Sequence, residues 1–92
     1  MKRPDVEEIA SDLEAFLRRS FLIPMDDERF TRSANLWEEG YVDSAGVVET
    51  IVHLEQRWNV RLPEELVFDP RFSHVTGIAE IVGAHLQREQ PS

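Results

Sequence analysis

Asp43 and Ser44 stand side by side within "EEGYVDSAG", residues 38 to 46, just where an apolar helical period begins. A serine there has three uses: nucleophile, helix cap, or acceptor of a group that another enzyme transfers. Nucleophilic catalysis needs a base in reach and an oxyanion hole, commonly on a strand-turn-helix elbow. No G-x-S-x-G surrounds Ser44, the chain has no cysteine, and His53 falls more than two turns further along the same helix. His53, His74 and His85 share no turn and have no carboxylate pair at ligand spacing, so no metal site is expected. Glu38-Glu39 and Glu64-Glu65 read as solvated charges in a loop and at a helix start. Capping and modification remain. A phosphodiester on Ser44 would meet the free N–H groups and positive dipole end of a helix, both of which favour an anion.

The rest of the chain has to allow that use. With 92 residues it is about one small domain, with little room for an enclosed active site. Lacking cysteine, it has no disulfide and no thiol of its own. A formal charge of -8 repels a phosphate backbone, which argues against nucleic acid and in favour of basic protein partners. The N-terminus "MKRPDVEEIASDLEAFLRR" lacks the apolar core of a signal peptide, and no apolar run is long enough to span a bilayer. The expected location is the cytoplasm.

Four helical segments are predicted, at about 5–20, 44–58, 64–67 and 74–87, making an all-α bundle of three long helices and one short one in a single domain, 1–92. Asp5 and Glu8 form a capping-box pattern, and Val6, Ile9, Leu13, Phe16 and Leu17 make one apolar stripe. Residues 22–40 show no sustained period and read as a long, partly ordered loop that Phe30, Leu36 and Trp37 pin to the core. Asp43 caps the second long helix. There Val47, Val48, Ile51, Leu54 and Trp58 are expected inward, with Val52 on the flank of that face and Gly46, Glu49, Thr50, His53 and Arg57 on or beside the opposite one. Glu55 interrupts the apolar stripe and is expected to reach backbone donors of the preceding loop, since an unpaired buried charge costs several kcal/mol, roughly. Two prolines in "NVRLPEELVFDPRFSH" leave room for only a brief third helix, before a last one that turns Val75, Ile78, Ile81, Val82 and Leu86 inward.

The stretch "LWEEGYVDSAG" resembles the modification site of acyl and peptidyl carrier proteins, and is most similar to the "L-F-x-x-G-x-x-D-S-x-G" pattern of D-alanyl carrier proteins. Gly40 stands three residues before Asp43, and Gly46 two after Ser44. The similarity extends from about Leu36 to Val82 and includes "HLEQRWNVRLPEE", which resembles the end of the family's second helix. The resemblance implies an acyl-carrier-like four-helix bundle in which Ser44 receives 4'-phosphopantetheine from coenzyme A. The missing cysteine then fits, because the cofactor supplies the thiol.

Further expectations follow from the resemblance. The chain would be a free-standing, monomeric carrier, not an enzyme, presenting an acyl or aminoacyl thioester to biosynthetic partners. Those partners are a phosphopantetheinyl transferase, an adenylating ligase or acyltransferase, and downstream enzymes. Asp43 and Gly40 would support the site, while Ala45, Val47, Val48 and Glu49 would belong to the docking surface. Ala45 departs from the leucine or methionine of most of the family and offers partners a smaller contact. The competing expectation is an unmodified helical interaction module in which Ser44 only caps.

Overall fold

Helix α1 covers Val6–Ser20 in the computed structural model, which describes residues 4–89. Asp5 begins it from extended backbone, and its Oδ1 accepts the Glu8 N–H at 2.8 Å. The other half of the capping box does not form, because the Glu8 carboxylate stays in solvent. Ile9, Ala10, Leu13 and Leu17 are buried and Phe16 is half-buried, so one stripe of the helix meets the core. Val6 lies at the edge of that stripe, partly exposed. At the other end, the Ile23 N–H reaches Arg18 O at 3.0 Å across a turn in which Leu22 adopts φ 54°, a place where glycine is usual.

The chain from Phe21 to Asp43 contains only turns, yet it is tied down along its length, more firmly than its lack of period implies. Ile23, Phe30, Leu36 and Val42 are buried beneath it, and Trp37 is half-buried. Arg18 donates to Pro24 O at 2.7 Å and lies over the Phe30 ring. Arg32 pairs with Glu7 and Glu14 of α1, so its guanidinium is held charged even more firmly than usual and the Glu7 carboxyl is pulled below its ordinary range. A backbone bond from Leu36 N–H to Ser73 O (2.7 Å) ties the loop to the turn just before the final helix, and one from Thr76 N–H to Arg32 O (3.1 Å) ties it to that helix's first turn.

Helix α2 covers Ser44–Trp58. Its buried row is Gly46, Thr50 and Leu54, with Val47, Ile51 and Trp58 packed on the flank. This corrects the expected faces: Gly46 and Thr50 turn inward, whereas Val48 is 61% exposed and Val52 43% exposed. Close approach is the reason. A Cβ on Gly46 would lie 2.8 Å from Phe21 Cε1 and 2.9 Å from Val42 Cγ1, so the absent side chain is what lets this row sit against the loop. Thr50 is tolerated inside because its Oγ1 donates to Gly46 O at 2.8 Å. His53 also turns toward α1, stacking on Phe16 at 4.0 Å with its Nε2 2.9 Å from Asp12 Oδ2.

Asn59 ends α2 in the left-handed conformation at φ 54°, which asparagine tolerates. Glu55 does reach a backbone donor, but in the following segment: the Leu62 N–H donates to its Oε2 at 2.9 Å, since the chain reverses at Asn59 and brings Leu62 back beneath the helix. The single short third helix becomes two consecutive 3₁₀ turns, Glu64–Phe68 and Pro70–Ser73. They are separated at Asp69, which accepts from the Arg71 N–H, while Pro70 has no N–H to continue the first turn.

Helix α3 covers Val75–Glu89 and buries Val75, Ile78, Ala79, Ile81, Val82 and Leu86. It packs closely along α1 and against the second 3₁₀ turn, while α2 keeps a longer backbone distance and is joined to α1 through side chains. Among the described residues the molecule is all-helical, with three α-helices and no strand. Its radius of gyration of 12.8 Å is that of a compact globule of this length. No described helix is long and apolar enough to cross a membrane.

Candidate functional site

The site begins with a turn. Gly40 adopts φ 79°, a left-handed conformation costing other residues roughly 1–2 kcal/mol. A Cβ there would meet nothing within 4 Å, so the demand on this position is conformational, not steric. Beyond the turn, the N–H groups of Tyr41 and Val42 both donate to Leu36 O, at 3.0 and 3.1 Å. The Tyr41 hydroxyl donates to Asp27 Oδ2 at 2.9 Å, and its ring meets Phe30 edge-on. This bond holds the Asp27 carboxyl below its usual range, whereas burial, followed by the Asp27 contact, pushes the Tyr41 phenol above its own. Val42 is buried under the first turn of α2.

Asp43 is the N-cap. Its Oδ1 accepts the Gly46 N–H at 2.8 Å and its carbonyl oxygen accepts the Val47 N–H at 2.9 Å. Ser44 is then the first helical residue, exposed, and its hydroxyl has no hydrogen-bond partner among the described residues. The N–H groups of Ser44 and Ala45 precede the first intrahelical bond and so have no acceptor inside the helix. A free hydroxyl beside two backbone donors without a helical acceptor, at the positive end of α2, suits a phosphodiester. The donor set therefore fits a phosphopantetheine linkage at Ser44.

The other expected site residues divide. Ala45, Val48 and Glu49 are exposed on the outer side of α2, and Val47 is half-buried, packed against the core beside the buried row. His53 is committed to Phe16 and Asp12, and His74 and His85 lie on other elements. No group of three or more His, Asp or Glu side chains that could hold a metal occurs among the described residues.

A shallow groove between α1 and α2, about 390 Å³, was not anticipated. Phe16, Val48 and Val52 give it an apolar surface, and Glu49, His53 and Gln56 a polar one. Its signal in the sequence is Gly46, because a glycine in the first turn of a helix marks close approach and so rotates the valines outward. Compared with models of known protein families and with curated proteins, the chain matches none.

Proposed function

We propose that this chain is a carrier protein, with Ser44 as the attachment point of 4'-phosphopantetheine and an acyl or aminoacyl group held as a thioester on that arm. One observation carries the reading. The capping role that would otherwise account for Ser44 is already filled by Asp43, which leaves the Ser44 hydroxyl exposed and unbonded at the helix start. The arrangement of three long helices with short 3₁₀ turns before the last supports an acyl-carrier-like bundle in which those turns serve as the short third helix. Attachment joins Ser44 Oγ to the phosphorus of the arm and releases the nucleotide half of coenzyme A.

In this reading the chain carries and presents, and its partners do the chemistry. A phosphopantetheinyl transferase modifies Ser44, an adenylating ligase or acyltransferase loads the thiol, and downstream enzymes of the cytoplasm take the cargo. Ala45, Val47, Val48 and Glu49 are the expected docking residues. The test is intact mass before and after incubation with coenzyme A and a promiscuous phosphopantetheinyl transferase. Wild type gains one phosphopantetheine and Ser44→Ala gains none while keeping its helical circular dichroism. A folded wild type that stays unmodified with several transferases sinks the proposal and leaves a helical interaction module.

A further inference from the structure

The groove between α1 and α2 lies in line with Ser44. Ser44, Val48, Val52 and Gln56 recur at four-residue steps, and such a row drifts around a helix by about 40° each step. The drift runs from the Ser44 position toward Phe16 and His53 on the groove's α1 side. Val48 and Val52 are 61% and 43% exposed, an apolar strip on a helix whose Val47, Ile51 and Leu54 pack inward. Between Ser44 and the groove stands exposed Ala45, whose side chain ends at Cβ and leaves the path open.

We propose that this groove is a bed for the phosphopantetheine arm of Ser44, an inference that rests on the carrier reading. Length agrees: roughly fourteen bonds separate Ser44 Oγ from the thiol, and at about 3.5 Å per three bonds of extended chain they span about 16 Å. Along α2, Val48, Val52 and Gln56 lie about 6, 12 and 18 Å from Ser44. Chemistry agrees as well. The geminal methyl groups, four bonds from Ser44 Oγ, fall at Val48, and the methylenes further along the arm match Val52 and Phe16, while its amides and hydroxyl match the Glu49 carboxylate and the Gln56 amide on the polar side of the groove. Ala45 takes on a role in this arrangement, because a long side chain there would cover the head of the path. The tether raises the local concentration of the arm at the groove, so weak contacts suffice to hold it there part of the time.

The experiment compares apo and phosphopantetheinylated protein by methyl NMR, with intact mass reporting the modification separately. Methyl resonances of Val48 and Val52 shift on modification, those of core Val75 and Val82 do not, and NOEs join the geminal methyls of the arm to Val48 and its later methylenes to Val52 or the Phe16 ring. Val52→Asp, at an exposed position, keeps its fold by circular dichroism and its mass gain but loses the NOEs from the arm's methylenes to the Phe16 ring. Modified protein with unmoved Val48 and Val52 methyls and no such NOEs overturns the groove while leaving the carrier reading intact. So does persistence of the Phe16-ring NOEs in Val52→Asp. Absence of any mass gain removes both.

Discussion

Gly77→Ala separates a local rule from a tertiary one, because the two predict opposite signs. Gly77 lies in the first turns of α3, where alanine for glycine stabilises a helix by up to about 1 kcal/mol. Yet a Cβ on Gly77 would fall almost on the carbonyl oxygen of Arg71, 2.7 Å from its carbonyl carbon and 2.9 Å from its Cα. These are backbone atoms that no rotamer change can move. Relief to ordinary contact needs the Pro70–Ser73 turn to retreat by more than about 1 Å from α3. That retreat disturbs Phe72, which is fully buried, and the 2.7 Å bond from Leu36 N–H to Ser73 O. Overpacking at the upper end of its usual range is about 3 kcal/mol, and partial unseating of a buried phenylalanine adds about 1 more. Subtracting the helix gain leaves about 3 kcal/mol of destabilisation, a fall in Tm of roughly 12–24 °C for a chain of this size. Urea and thermal unfolding followed by circular dichroism measure it. A Gly77→Ala protein as stable as wild type, or more so, refutes the close approach between the 3₁₀ turn and α3.

Three further outcomes test the loop and the site. Asp43→Ala removes the cap of α2 and lowers stability by about 1 kcal/mol, whereas Ser44→Ala, with no bond to lose, changes the urea midpoint little. Glu55→Ala leaves the N–H of buried Leu62 without its acceptor and costs about 1–2 kcal/mol in urea unfolding, with Glu55→Gln losing less because a carbonyl oxygen remains. Tyr41→Phe gives a pH-dependent loss. The lowered Asp27 pKa means its contribution is complete above the ordinary carboxylate value of about 4 and is lost as pH falls through the lowered one. The raised Tyr41 pKa means its contribution is complete below about 10 and is lost as pH rises through the raised one. The difference in unfolding midpoint between wild type and Tyr41→Phe is therefore largest near neutral pH and shrinks toward both extremes. A pH-independent difference would count against the Tyr41–Asp27 bond.

Local signals made much of the molecule legible in advance. The Asp5 and Asp43 caps, the stripe from Ile9 to Leu17, the inward residues of α3 and the pinning of the loop by Phe30 and Leu36 all follow from side-chain chemistry or spacing within a few residues. Such features need no knowledge of what lies across the fold. The face of α2 was another matter. Hydrophobic spacing counted Val48 as inward and Thr50 as outward, since both rows are consistent with one helical period and only the partner surface chooses between them. Likewise Glu55 had to reach a backbone donor, but which segment supplied it depended on the reversal at Asn59.

The sequence by itself determined the helical elements, the capped start of α2 and the presence of an Asp-Ser pair there, because caps and periodicity act between near neighbours along the chain. Tertiary structure alone decided which side of α2 meets the core. The Phe21 and Val42 side chains pack so closely onto Gly46 that a Cβ there would have to push them aside, and burying that row turns Val48 and Val52 outward beside Phe16. A packing contact between segments distant in the sequence thereby formed the groove that leads away from Ser44.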